Sequence, residues 1–417
     1  RLSIREHVIV ATFWLASNFQ WGALLTVMMA GDVGMLAGAS KAAKLGMILG
    51  AGAIPAIVIP LIAGVLSDRC LHPKGRRKPY ILWGAVINFV GIIAMGISAY
   101  HLKNLNAYFF SFLVVQIGAN TALGAYMGVI PDVVPKIDQD RASGFMALFT
   151  QMGTLLGAAI VGMVLGGGFI SYIVLGSVVL AGALITYFFM KEEPQTHCEK
   201  IDWQGYVKSL WIDPKTYPNY AWVWFTRFLV MAGFYAILPF VNYYLVDIAK
   251  VPQADISAKA PMLLGIILIV SAISGICGGI LAEKHGRKKV VYIANGIITV
   301  VAPMFAFAPN LPAALGVGAL FGLGYGAYIS VDYALGTAVL PSAEDAGKDM
   351  AVWHIAMTLP QSIAAPIGGF LVGIGGAKVV SAEEVHYSQT GYILVFLFCS
   401  VCFAFGAILL RNVKGIR

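Results

Sequence analysis

Gly64-Val-Leu-Ser-Asp-Arg-Cys-Leu-His-Pro-Lys-Gly-Arg-Arg-Lys78 is a charged segment set between two apolar runs. A compact second copy, Gly279-Ile-Leu-Ala-Glu-Lys-His-Gly-Arg-Lys-Lys289, follows 215 residues later in a chain of 417. Each copy reads as a helix that ends in an acid, a tight glycine turn, and a basic cluster that cannot enter lipid. The spacing is about half the chain, so the sequence looks like one membrane unit written twice.

Composition agrees with a membrane setting. Hydrophobic residues make up 59% of the chain and charged residues 12%, with a mean hydropathy of +0.81. A soluble protein carries about twice that charged fraction. Twelve apolar runs near the bilayer length of about 20 residues are found. In the first half they lie near 7–30, 42–66, 80–100, 107–131, 143–166 and 169–190. In the second they lie near 219–246, 260–282, 290–308, 312–340, 350–374 and 389–410. The predicted fold class is an all-α integral membrane protein of twelve transmembrane helices in two pseudo-symmetric six-helix halves. The halves are residues 1–190 and 219–417, joined by a cytoplasmic linker over 191–218. Arg1 and Glu6 run into a span too long for the apolar region of a signal peptide, so the first helix is expected to be retained. Repeated halves of this kind are a mark of secondary transporters.

Basic residues set the orientation. With both termini and both glycine-turn loops on one side, that side holds 21 of the 28 Lys and Arg. The opposite loops hold six, Lys41, Lys44, Lys103, Lys250, Lys259 and Lys378, and Arg227 lies within a span. The positive-inside rule then places the glycine-turn loops and both termini in the cytoplasm. The net charge of +8 is explained by this bias, and no nucleic-acid partner is expected. The short loops fit a microbial plasma (inner) membrane protein, with a monomer as the default.

In the first loop Asp68 ends the second span, Arg69 follows, Gly75 makes the turn, and Arg76 and Arg77 come next. The fourth span ends at Ile130-Pro131-Asp132, and Arg141 precedes the fifth. Asp68 and the Arg76/Arg77 pair can bridge to Asp132, forming a cytoplasmic gate that latches the halves when that side is shut. Glu283, Gly286 and Arg287 hold the equivalent places in the second copy. The alternative is topological, with the cluster doing no more than obeying charge bias.

These two loops resemble the signature loop of the major facilitator superfamily, and the resemblance covers all twelve spans. Five residues, Cys70 to Lys74, separate the Asp-Arg pair from the glycine in the first copy. That long form, with Gly-Arg-Arg-Lys-Pro-Tyr-Ile-Leu82 after it, is similar to the glycoside–proton symporters of the sucrose-transporter branch. Gly324-Tyr-Gly-Ala-Tyr-Ile-Ser-Val-Asp-Tyr-Ala-Leu335 and Leu359-Pro-Gln-Ser-Ile-Ala-Ala-Pro366 are similar to microbial members of that branch. Plant sucrose transporters carry an arginine midway along the fourth span, where Met127 is the nearest equivalent here. Their acid five residues beyond would fall on Asp132. The resemblance implies alternating access with proton-coupled symport of a sugar or glycoside, and no cofactor.

Ionisable residues inside spans are costly, by about 2.5–3.5 kcal/mol at the bilayer centre, and so usually face a cavity or a partner. Asp332 lies nine residues before Pro341 and Arg227 eight residues after Asn219, which puts both about 12–14 Å deep from the same side. The superfamily lines its central cavity with helices 1, 4, 7 and 10, so the resemblance places both on one wall, and they are expected to pair. With Arg227 beside it Asp332 stays ionised; if the arginine swings to substrate, the lone buried carboxylate takes a proton. The alternative is a permanent ion pair that fixes the register of the seventh and tenth spans. His354, five residues into the eleventh span, and Asp32, near the outer end of the first, are further proton-coupling candidates. Asp32 is expected in an outer vestibule or as a cap.

Neutral polar and aromatic residues suit a sugar, which needs amide and hydroxyl partners and aromatic faces. The candidates are Asn18, Gln20 and Trp21 on the first span, Gln116 and Asn120 on the fourth, and Gln151 on the fifth. Tyr235 and Asn242 on the seventh, Tyr325 and Tyr328 on the tenth, and Gln361 on the eleventh complete the set. The alternative for each is an interhelical hydrogen bond. Gly322-Leu-Gly-Tyr-Gly-Ala327 matches a dinucleotide fingerprint only as a string, since no strand precedes it. No Walker loop is present, and the five cysteines show no metal-ligand spacing. An enzyme and a metal site are therefore not expected. An exporter of amphipathic drug-like molecules and a non-transporting assembly factor are the competing functions.

Overall fold

The computed structural model describes residues 2–135, 138–194, 203–341, 346–379 and 385–415. Eleven described segments are long and apolar enough to cross a membrane. The first, Ile4–Asp68, has 65 residues, more than twice the length of one crossing, and a 3-10 turn at Gly38–Ser40 divides it. The described chain thus makes twelve crossings.

In the first half, α1 runs over Ile4–Ala23 and continues through a π-helical turn at Leu24–Met28 into Met29–Ala37. Helix α2 comprises Lys41–Ala51 and Ala53–Asp68, α3 is Lys78–Tyr100 and α4 is Leu105–Tyr126. Helix α5 is Gln139–Ala159 with a π-helical end at Ile160–Leu165, and α6 is Phe169–Phe189. In the second half, α7 runs over Pro218–Ile237 and, past a 3-10 turn, Val241–Asp247. Helix α8 is Ile256–His285, α9 is Arg287–Val301, α10 is Leu311–Ala338, α11 is Ala346–Gly373 and α12 is Gln389–Leu409. A two-stranded antiparallel hairpin, β1 Ala377–Val379 and β2 Val385–Tyr387, precedes α12. The hairpin, a short helix at Trp203–Ser209, and the starts of α8 and α11 four residues before the apolar runs all escape a hydropathy scan, because polar residues carry them.

Helix starts are set by polar residues at the membrane boundary. Ser3 and Glu6 form a reciprocal capping box on α1, and Asn104, Asn310 and Ser388 cap α4, α10 and α12 with their side chains. Each such bond satisfies one of the amide groups a helix leaves open at its start.

The chain forms two compact units, residues 1–37 with 51–201 and residues 38–50 with 202–417. In the first, α1 packs on α5 and α6, α3 on α4 and α6, and the second part of α2 on α4. In the second, α7 packs on α11 and α12, α9 on α10 and α12, and α8 on α10. The same pairing pattern occurs in both halves. One close approach among these needs glycine: a Cβ on Gly326 of α10 would lie 2.5 Å from the Cα of Ser271 on α8. The apparent dinucleotide fingerprint is thus a helix-packing face. The 38–50 stretch is held in the second unit by the hairpin. There Lys41 Nζ donates to Val385 O at 2.7 Å, and the Ala42 amide donates to Tyr387 Oη at 3.0 Å.

Candidate functional site

The second unit holds a charged cluster at membrane depth. Arg227 is on α7, where Pro218 starts the helix, and eight residues carry it two turns inward onto a buried face. Asp332 is on α10, with Tyr328 one turn before it. Arg227 Nη1 donates to Asp332 Oδ2, and the two side chains are only 7% and 5% exposed. Tyr328 Oη donates to the other carboxylate oxygen at 2.9 Å. Trp353 on α11, itself buried, places its ring 3.6 Å from the Arg227 guanidinium carbon, and Arg227 Nη2 reaches Met357 Sδ at 3.5 Å. The pair is therefore enclosed by a carboxylate on one side and an aromatic face on another. A desolvated guanidinium on such a face gains about 2 kcal/mol.

Aromatic rings continue from this cluster along α7 and α10. Phe234 stacks on Tyr325 with ring centres 4.5 Å apart. Tyr235 and Tyr325 are half-buried, and Asn242 is buried. His354 is half-buried beside Trp353 and makes no hydrogen bond among the described residues; Gln361, two turns further along α11, is also half-buried. Indole and phenol groups pin α11 to α7: Trp224 Nε1 donates to Val352 O at 2.9 Å, and Tyr220 Oη to Asp349 O at 2.6 Å.

In the first unit the polar candidates separate. Asn18 and Trp21 are half-buried on α1, as is Gln151 on α5. Asn18 Nδ2 donates to Trp14 O at 2.8 Å. Trp14 Nε1 donates to Thr150 Oγ1 at 2.5 Å, and its ring stacks on Tyr126 at 5.6 Å. Gln116 and Asn120 bond each other along α4, at 2.9 Å between side chains. Gln20 turns the other way, toward α3: it is 1% exposed and accepts from Asn88 Nδ2 at 2.7 Å.

Asp32 departs from its expected place in a vestibule. It is 3% exposed and enclosed by hydroxyls from three helices. Tyr100 of α3 donates to it at 2.6 Å, Tyr108 of α4 at 3.4 Å, and Tyr172 of α6 more closely. Apolar packing leaves a carboxylate few options other than such donors. The second unit repeats the arrangement at Asp247, on the end of α7. Tyr392 Oη of α12 donates to it at 2.5 Å, the Tyr387 amide at 3.0 Å, and His386 Nδ1 lies 2.7 Å away. The 215-residue spacing of the glycine loops, applied to Asp32, points at Asp247.

The first glycine loop forms a charge network inside the first unit. Gly75 takes φ of 109°, a left-handed conformation that favours glycine. Arg77, at the start of α3, bonds Asp132 through Nε at 2.8 Å, Asp68 through Nη2, and Ser67 Oγ through Nη1 at 2.7 Å. Arg76 Nη2 meets the other oxygen of Asp132 at 2.6 Å. Partial burial works against the charge of Arg76, and the Asp132 carboxylate outweighs it, so its pKa stands above the ordinary arginine value. Glu192, just past α6, accepts from the Arg77 amide at 2.8 Å. The bridge from Asp68 through Arg77 to Asp132 therefore ties α2, α3 and the short helix Val129–Val133 that follows α4 within one half. Arg69 Nη1 lies 3.5 Å from Val65 O, one turn back on α2. In the second copy Gly286 has φ of 95° and Arg287 donates to Ala334 O at 3.0 Å. The side chains of Arg141 and Glu283 lie outside the described residues.

A profile of the Major Facilitator Superfamily matches residues 8–278 and 223–415, which together span nearly the whole chain. The chain belongs to the Major Facilitator Superfamily. As a superfamily member it is an integral membrane transporter rather than an enzyme. Sucrose transport protein SUT1 of Oryza sativa subsp. japonica is 27% identical over 124 residues. That match covers 25% of this chain and 23% of the rice protein, so the chain spans about a quarter of that relative's length. The multi-drug resistance efflux pump PmrA of Streptococcus pneumoniae is 26% identical over 387 residues, covering 87% of this chain and 84% of the pump. The solved structure of the nucleoside transporter NupG shares 14% identity at a TM-score of 0.70, over 99% of this chain and 100% of that one. A bacterial homologue of the human lysosomal transporter Spinster gives a TM-score of 0.75, also at 14% identity, over 99% and 97% of the two chains. These structures establish the twelve-helix, two-half major facilitator fold.

Sequence reasoning did not find Trp353, Met357, Asp247, Glu192 or the tyrosines around Asp32. Only Asp247 had a signal in the sequence, the repeat spacing.

Proposed function

We propose that this transporter carries a sugar or glycoside together with protons, by alternating access of its two halves. The observation that carries this reading is the buried Arg227–Asp332 pair, with Tyr328 on the carboxylate and Trp353 on the guanidinium. A membrane-depth ion pair is costly to build, and here Tyr328, Trp353 and Met357 hold it. Substrate hydroxyls can compete for Arg227. Once the guanidinium turns away, Asp332 is left in a desolvated site and takes a proton, and release of the substrate returns the pair to its resting state. Tyr328 keeps one carboxylate oxygen oriented throughout. Tyr235, Tyr325 and Gln361 offer the aromatic faces and the amide that a sugar needs, with Asn18, Trp21, Gln116, Asn120 and Gln151 as candidates in the first half. In this reading His354 and Asp32 are secondary proton carriers.

In this reading the two glycine-turn loops serve as the cytoplasmic gate, the Asp68–Arg77–Asp132 network holding the first loop firm within its own half, and both termini are cytoplasmic. The resemblance of the long first loop to the sucrose-transporter branch, and the partial match to the rice protein, support a sugar over other solutes. The match along most of PmrA supports a second reading, export of amphipathic molecules.

The test is uptake of labelled sugars into proteoliposomes under an imposed pH gradient, acid outside. Accumulation that collapses with an uncoupler is expected for the wild type and absent for Asp332→Asn. If no sugar accumulates while a fluorescent amphipathic dye is extruded, the export reading replaces this one.

A further inference from the structure

At the turn between α8 and α9 lies an open cavity of about 990 Å³, walled by Lys284, Arg287, Lys288, Lys289 and Tyr292 over a floor at Gly279. No described acidic side chain lines it. Two of its cations are partly engaged with backbone, Arg287 with Ala334 O and Lys288 with Val413 O. Lys284 and Lys289 are exposed, and no described acid lies within salt-bridge distance of either. The corresponding corner of the first half is different. Its cavity of about 1030 Å³ sets Lys74, Arg76, Lys78 and Lys191 against Asp132, Glu192 and Glu193. Two corners that descend from one repeat thus differ in charge among the described residues: acids offset most of the cations in one and none of them in the other.

The cationic corner opens onto lipid-facing surface. On α8 Ile276 and Ile280 are 70% and 51% exposed, and on α9 Ile293 is 65% exposed. Helical spacing puts Ile276 one turn beyond Gly279, and Ile293 one turn beyond Lys289. Cations therefore sit directly above an apolar strip, with Tyr292 at the boundary, where amphipathic rings gather. A Cβ at Gly279 would meet nothing within 4 Å, so the floor is open because no side chain fills it.

We propose that this cavity binds the phosphate headgroup of an anionic phospholipid, whose acyl chains lie along the Ile276–Ile280–Ile293 strip. Clustered cations beside a spanning helix attract anionic headgroups at the membrane surface. A free phosphate would use the cations and leave the strip unused. The site shares α10 with the Arg227–Asp332 cluster but is lined by neither residue, and it needs no assumption about the transported solute.

The experiment titrates the delipidated full-length protein in detergent with phosphatidylglycerol or phosphatidylcholine of the same chains, and counts bound lipid by native mass spectrometry. The wild type should prefer phosphatidylglycerol by at least about tenfold. Each lysine removed should cost roughly fivefold, so Lys284→Gln with Lys289→Gln should abolish most of the preference. Gly279→Leu, which fills the floor without changing charge and suits a helix, should do the same. Lys208→Gln with Lys215→Gln, an equal loss of charge in the exposed linker, should change nothing. Unfolding temperatures confirm that each variant is folded, and Lys284→Gln alone replaces any that is not. Equal binding of the two lipids overturns the proposal. So does a Gly279→Leu protein that keeps its preference, or an equal loss in the linker variant. Displacement of phosphatidylglycerol by millimolar inorganic phosphate would make the ligand a free anion and also overturns it.

Discussion

Replacing Asp332 by asparagine leaves Arg227 charged, 7% exposed and facing an amide. At a charge separation of about 4 Å and an effective dielectric of about 20, the lost attraction is about 4 kcal/mol. Removing one partner of a buried pair costs about 3–5 kcal/mol for the same reason. The Trp353 face holds the guanidinium in both proteins and so leaves the difference unchanged. The single variant should therefore lose roughly 3–5 kcal/mol of stability, read as a lowered unfolding temperature in detergent. Replacing both charges, Arg227→Met with Asp332→Leu, removes the uncompensated cation, and stability should return to within about 1 kcal/mol of the wild type. This double variant separates the two roles of the pair. If the pair only fixes the register of α7 and α10, the double variant should regain stability and pH-driven uptake together. If Asp332 carries the coupled proton, stability returns and uptake against a gradient does not. A stable double variant that accumulates substrate like the wild type would refute the coupling argument.

Arg77→Gln should destabilise the first half by about 1.5–3 kcal/mol, because it removes the 7% exposed guanidinium that Asp68, Asp132 and Ser67 share; Arg76→Gln, at 28% exposure, should cost less than about 1 kcal/mol. Paired thermal melts of the two proteins check the order. Gly75→Ala should cost about 1–2 kcal/mol for its left-handed φ and more where the new Cβ meets the Glu192 carboxylate. Gly64→Ala, whose Cβ would lie 3.5 Å from Gly124 O, should leave the melting temperature unchanged. Tyr172→Phe and Tyr392→Phe should each cost about 1–3 kcal/mol, because each removes a hydroxyl from a buried carboxylate; equal melts for variant and wild type would show that these donors are dispensable.

The fold was legible because lipid imposes a length on every crossing and excludes the charges between crossings. The glycine loops added the repeat, and Arg227 and Asp332 stood out because few ionisable residues lie inside spans. What stayed hidden had no such rule behind it. Trp353 is one aromatic among many in apolar helices, where a ring facing lipid and a ring facing a guanidinium have the same sequence signature. Gln20 and Asn18, two residues apart, fall on different faces of α1, and only the packing of α3 shows which face is interior. The seventh apolar run, 219–246, ends one residue short of Asp247, and a carboxylate at a span end reads as an ordinary loop acid.

Asp32 and Asp247 show what the duplication preserved. Each lies in the last stretch of the first helix of its half, Asp32 within Met29–Ala37 and Asp247 at the end of Val241–Asp247. Each accepts from a tyrosine that is the fourth residue of the sixth helix, Tyr172 in α6 and Tyr392 in α12. A buried carboxylate with no donor is too costly to keep, so either the acid is lost or its partners are maintained. Both halves kept the acid and the tyrosine, which fixes the register between first and sixth helices. The other donors diverged. The first half supplies Tyr100 and Tyr108 from α3 and α4, whereas the second supplies the His386 ring and the Tyr387 amide from the hairpin. The hairpin therefore takes the place of two helix-borne hydroxyls, and through Tyr387 Oη and Val385 O it also grips Ala42 and Lys41. One anchoring bond in each half was constrained by desolvation, and the positions around it were free to acquire a second task.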